Sequence, residues 1–344
     1  MDHMDHTGHL DEALVRLAPT GPEFGGGLSN HGPMVAEALV RLGAAGTVPG
    51  WVTGYLPSLA GRPPVGGPVT DWRAALGDMR RLGDWTGHFE RLLAEGPWRA
   101  VLAEWWPRLV PGLAAGATHG VIRTSHAVRA LAEADTPPRR AELAHALAYW
   151  AAAYLELPGR PLTAGARTLE EAVAALPVLE LAPTGLISVH LGNLAGLPEF
   201  AGVVSSLRPP ADVPADLVRL SRAFTRVFLT RGRHAPIAFV HAVTTPVAVS
   251  SVLGDLPPAT WRATYDAVWQ ASAALFSGYA YNGTAEPLPE RDPSAPADLA
   301  GRAAETGEEH AIKLTEAALR QHAVTGDPVF LHAAERYMDL LGPR

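Results

Sequence analysis

The feature that most limits what this chain can fold into is the spacing of its apolar residues, which return at helical intervals over nearly its whole length. Leu10, Leu14 and Leu17 form one such stripe, Val35, Leu39 and Leu42 a second, and Leu217, Leu220, Phe224 and Phe228 a third. Strand-like alternation is scarce, and only fragments such as 186–191 offer the short Val/Ile-rich run that a βαβ fold would need. Prolines and glycines gather near 18–27, 61–68, 134–138, 158–165, 207–214 and 284–296, where they end helices and make loops. The pattern predicts an all-α protein of roughly a dozen helices. Residues 1–10 read as a histidine-containing flexible tail, and 11–344 as a single multi-helical domain with room for two helical lobes.

Composition then narrows the function. The chain has no cysteine, so disulfides, thiolate metal sites and cysteine nucleophiles are excluded and any metal must be held by nitrogen or oxygen. A formal charge of −7 argues against nucleic acid and anionic membrane as partners, which are bound through clustered positive charge. The start is acidic from its second residue, unlike a secretory signal, and the charge-free segments near 234–254 and 267–285 carry His, Thr, Ser and Gln throughout. They read as buried helices, and the protein as cytoplasmic. No G-x-G-x-x-G follows a strand and no Walker lysine is possible, so neither usual nucleotide cradle is present. G-x-S-x-G and H-E-x-x-H are also missing.

Chemistry must therefore come from scattered groups. Of fourteen histidines, several lie in apolar helical stretches. His31 opens a helix in Ser29-Asn30-His31-Gly32-Pro33-Met34, with Ser29 or Asn30 as its cap and the Gly25-Gly26-Gly27 loop before it. His119 and His126 are seven apart with Arg123 between them, and His234 and His241 repeat that spacing. His310 and Lys313 sit one turn apart behind a Thr306-x-x-Glu309 capping box. A lone histidine on an apolar face is more often a core residue satisfied by one hydrogen bond, and His88, His145, His322 and His332 read that way, while His190 sits in a short apolar segment where it could line a cavity. His3, His6 and His9 read as an exposed tail able to pick up metal. Trp261, Tyr265 and Trp269 share one helix face, as core or as a surface for a flat aromatic ligand.

Among 28 basic side chains Lys313 is the only lysine. A buried lysine can become neutral where guanidinium cannot. A neutral amine can act as a base, form a Schiff base or add carbon dioxide to become an anionic carbamate.

Four blocks, Ser29 to Met34, Thr118-His119-Gly120-Val121-Ile122-Arg123, Val240-His241-Ala242-Val243-Thr244, and Glu309-His310-Ala311-Ile312-Lys313 running on to Ala317, together resemble the questin oxidase-like family, in that family's order. The resemblance implies a largely helical fold and oxidative, Baeyer–Villiger-like opening of an aromatic polyketide ring such as an anthraquinone, with NADPH as external reductant. It also implies a non-haem Fe(2+) centre held by four histidines and a carboxylated lysine. Carried over by motif, the metal ligands are His31, His119, His241, His310 and Lys313, with Lys313, His31 and His241 as the catalytic set. His126 stands as the alternative to His119, and Arg123 stands where the family's pattern often has a further histidine. The implied partners are an aromatic small molecule, dioxygen and a separate reductase. Two other functions stay open on the residues alone: a metal-dependent hydrolase or isomerase, and a non-catalytic helical protein that binds an aromatic ligand.

Overall fold

Seventeen α-helices and one two-residue-per-strand hairpin make up the computed structural model, which describes residues 3–281 and 285–342, with side chains from residue 8 onward. The fold is all-α. The chain divides into two compact units, Met1–Leu155 with Gly254–Leu256, and Glu156–Leu253 with Pro257–Arg344. The boundary falls just before the proline- and glycine-rich stretch near 158–165.

The first unit holds α1 (His3–Leu17), the antiparallel hairpin β1 (Glu23–Phe24) and β2 (Leu28–Ser29), α2 (Gly32–Arg41), α3 (Val48–Tyr55), α4 (Trp72–Ala75), α5 (Leu82–Glu95), α6 (Trp98–Leu109), α7 (His119–Glu133) and α8 (Pro137–Ala152). α8 packs on both α5 and α7, and α2 on both α1 and α7. Trp85, Phe89, Trp105, Trp106 and Trp150 fill the core in edge-to-face and stacked pairs. Residues 3–10, expected as a tail, are instead the first turns of α1. Leu10 is 1% exposed, because it continues the stripe of Leu14 and Leu17. The side chains of His3 and His6 lie outside the described residues.

The second unit holds α9 (Leu169–Ala174), α10 (Ile187–Leu191), α11 (Glu199–Ser206), α12 (Val213–Arg231), α13 (Pro236–Val252), α14 (Pro258–Tyr279), α15 (Pro296–Thr306), α16 (Glu309–Thr325) and α17 (Val329–Leu341). α13 packs on α12, α14 and α16, and α17 on α12 and α16. The fragment 186–191 is helical from Ile187 onward. Short helices such as α4, α9 and α10 account for the excess over a dozen, since four to six residues are too few to show an apolar period. Trp269 is fully buried and donates its indole N–H to the Val204 carbonyl at 2.9 Å, and Tyr265 is 3% exposed, so these two belong to the core, while Trp261 is half-buried. Among the described residues one stretch, Pro236–Asp255, is long and apolar enough to cross a membrane, and its most apolar part is 78% buried.

Candidate functional site

His31 and His119 meet inside the first unit. Their Nε2 atoms are 2.8 Å apart, with ring centroids separated by 4.8 Å. His31 occupies the N-cap of α2, a position expected for Ser29 or Asn30. Asn30 still serves that end, because its Oδ1 accepts the Gly32 N–H at 2.9 Å while its amide donates to Thr20 and Gly21. The backbone N–H of His31 donates to the Tyr55 hydroxyl at 3.0 Å, which fixes the residue from α3.

His119 is placed by an unusual turn. Gly116, Ala117 and Thr118 have φ of 53°, 57° and 71°, three left-handed residues in a row directly before α7. Left-handed backbone is costly for residues with a Cβ. Here it points the Gly116 carbonyl at Nδ1 of His119, 2.6 Å away. A Cβ at position 116 would lie 2.3 Å from the Tyr149 hydroxyl oxygen, so only glycine fits. Tyr149 is itself anchored, donating to Glu23 at 3.0 Å and sharing a 2.8 Å bond with Ser29. A carbonyl only accepts, so Nδ1 of His119 carries the proton and Nε2 of the neutral ring carries the lone pair.

His126, the alternative to His119, is taken up elsewhere. Its Nδ1 is 2.8 Å from Glu37 Oε2, and Arg129 pairs with the same carboxylate. Burial alone would raise the Glu37 pKa, but Arg129, His126 and Arg41 together hold it well below the usual carboxylate range. Arg123 makes a buried two-point pair with Glu142 at 2.6 and 2.8 Å. Both are structural ion pairs of α7.

The second unit brings together His241, His310 and Lys313. The rings of His241 and His310 lie 5.5 Å apart, nearly perpendicular. His241 is 1% exposed on α13, one turn before Pro246, whose missing N–H opens the helix ladder. Thr245 donates its hydroxyl to the His241 carbonyl at 2.7 Å. His310 and Lys313 lie on the buried face of α16, 7% and 4% exposed. The expected Thr306–Glu309 capping box is not formed. Thr306 ends α15, Gly307 turns left-handed, and Glu308 caps α16 by accepting the Ala311 N–H at 2.6 Å. Glu308 Oε1 also accepts from Nδ1 of His310 at 2.9 Å, which leaves the lone pair of this ring on Nε2 as well.

Burial is the main cause lowering the His310 pKa, opposed by Glu308. Burial likewise brings Lys313 down to about 7, against the weaker pull of Glu308 and Glu309. Lys313 has no hydrogen bond or ion pair among the described residues. Ligand-type atoms of Glu308, Glu309 and His310 lie within 4.8 Å of one another, a set able to hold a cation. Glu308 is already committed to His310 and the helix cap, so it acts on the imidazole. With His119 Nε2 accepting, His31 Nε2 donates across the 2.8 Å between them; an ion that displaced this proton would find the two nitrogens close to the roughly 3 Å separation of ligands held at about 2.0–2.1 Å and near right angles.

Four of the other histidines are accounted for locally. His190 is 2.9 Å from the Gly278 carbonyl, His145 lies between Arg62 and Glu90, His322 bonds the Asp327 carbonyl at 3.1 Å, and His88 packs against Trp85 and Trp105. Glu308, Gly116 and Tyr149 were not singled out by sequence. A glycine three residues before His119 was the available signal for the turn. No protein-family model, curated protein or solved structure matches the chain.

Proposed function

We propose that the protein is a metal-dependent oxygenase that opens or oxygenates the ring of a phenolic polyketide or quinone with dioxygen. The candidate ligands are His31 and His119 in the first unit, and His241, His310 and carboxylated Lys313 in the second. The observation that carries this reading is the pair of buried imidazoles, His119 and His310, each with its Nδ1 proton held by a fixed acceptor so that Nε2 presents a lone pair. That is the arrangement found in metal-ligating histidines, whose other nitrogen is bound to a carbonyl or carboxylate. The donor set fits iron(II), for which imidazole and carboxylate-type oxygen are suitable ligands. Bound there, iron would supply the one-electron chemistry that dioxygen needs and an organic side chain lacks.

The chain's own groups have separable tasks. Gly116 and Glu308 each hold a proton at Nδ1, so the rings neither rotate nor change tautomer. A lysine titrating near 7 has a substantial neutral fraction at physiological pH. Its amine lone pair can add to the carbon of carbon dioxide, forming an N–C bond, releasing one proton to solvent and leaving an anionic carbamate. Arginine cannot make that group. Electrons beyond those of the substrate would come from NADPH through a separate reductase.

Iron analysis of the purified protein, with oxygen uptake in the presence of an anthraquinone-type phenol, tests the reading. Wild-type protein is expected to retain iron and consume oxygen, and Lys313→Arg to lose both. A metal-free active protein, or full activity with arginine at 313, would overturn it.

A further inference from the structure

The metal reading uses Glu308 only as the acceptor of the His310 Nδ1 proton, yet its carboxylate takes three hydrogen bonds in this region. Oε2 accepts the Ala311 N–H at 2.6 Å, and Oε1 accepts from His310 Nδ1 at 2.9 Å and from the Tyr337 hydroxyl of α17 at 3.3 Å. We infer that Glu308 is a positioning residue for the proposed metal site, holding His310 in one tautomer and one orientation while it caps α16. The inference rests on the metal reading for its purpose but not for its geometry.

The division of labour between the two oxygens explains why glutamate stands here. Asp, Asn, Ser and Thr are the favoured N-cap residues because their short side chains fold back onto the helix N–H groups. Glutamate is a poorer choice for the cap alone. Its extra methylene lets one oxygen stay on Ala311 while the other reaches a ring two residues along the chain. Tyr337 then holds Oε1 from a different helix, so the carboxylate is fixed from both sides. Glu309, next in sequence, makes no hydrogen bond or ion pair among the described residues, and the role does not pass to it. An anionic acceptor on Nδ1 also makes an imidazole a stronger donor at Nε2 than a backbone carbonyl does.

The test separates the cap from the lock. Glu308→Asp preserves the cap, and with it the melting temperature, but its second oxygen falls short of His310. Iron(II) or cobalt(II) titration should then show about 10–100-fold weaker binding than wild type. Glu308→Gln keeps an acceptor for His310 but offers only one oxygen, so it should lose more thermal stability and less metal affinity than Glu308→Asp. Ring ¹⁵N shifts of His310 in metal-free protein give a readout that needs no metal. Wild type should show the Nδ1–H tautomer, and Glu308→Asp a mixture of both. An unchanged His310 tautomer in Glu308→Asp, or unchanged affinity in that variant, overturns the inference. Absence of metal binding by wild type overturns the metal reading alone, and the ¹⁵N comparison still decides the role of Glu308.

Discussion

The two groups of histidines reach the same chemical state by different means. In the first unit the Nδ1 proton of His119 is held by a neutral backbone carbonyl, and the cost appears as backbone strain, three consecutive left-handed residues of which two carry a Cβ. In the second unit the Nδ1 proton of His310 is held by a carboxylate, and the cost appears as electrostatics, a buried lysine one turn away with no ion pair among the described residues. Strain is local and insensitive to pH, whereas the cost of burying charge depends on protonation. The two units should therefore respond to different perturbations.

The largest effect is expected at Gly116. Alanine there meets the Tyr149 hydroxyl and must also adopt a left-handed φ, which together should destabilise the protein by about 3 kcal/mol or more. Urea unfolding of Gly116→Ala measures it, and adding Tyr149→Phe should restore part of the loss by removing the nearest atom. Full stability in the single variant would show that the turn relaxes freely. At Lys313 the sign follows from proton counting. The unfolded chain keeps this lysine protonated up to about 10.5 and the folded chain only to about 7, so between those values folding releases a proton and stability rises with pH. Below pH 7 the burial cost is present in full. Lys313→Met in carbon dioxide-free buffer should thus gain on the order of 2 kcal/mol at pH 6, and its stability should lose the rise across that window. A parallel pH profile in the variant would mean that Lys313 is solvated. The smallest effect is expected at Ala117, where glycine relieves left-handed strain with the loss of a single methyl group. Ala117→Gly should gain about 0.5–1 kcal/mol by thermal melting, and a loss would place the strain elsewhere.

Much of this was legible in the sequence, for physical reasons. Helices announce themselves through the period of their apolar residues, and the long ones, α12, α13 and α14, follow the stripe and charge-free runs that suggest them. The histidines that pair were visible as residue types on apolar faces. What could not be read was which second group each would meet. His119 and His126 look alike on α7, and only packing assigns one to His31 and the other to Glu37. The capping box was misplaced because Thr306 and Glu309 have the favoured residue types, while the cap is a glutamate that also reaches a ring. The start of α1 was missed because its first residues are polar and small, and only Leu10 onward carries the stripe.

The 2.6 Å bond from the Ala311 amide to Glu308 makes one backbone resonance a gauge of this region. Its proton sits on the same carboxylate as His310, so any redistribution of charge over that group moves the electron density the amide feels. The Ala311 cross-peak in a ¹H–¹⁵N spectrum should therefore shift with titration of the imidazole, with carbamate formation and with cation uptake. Following it would require neither a substrate nor a chromophore.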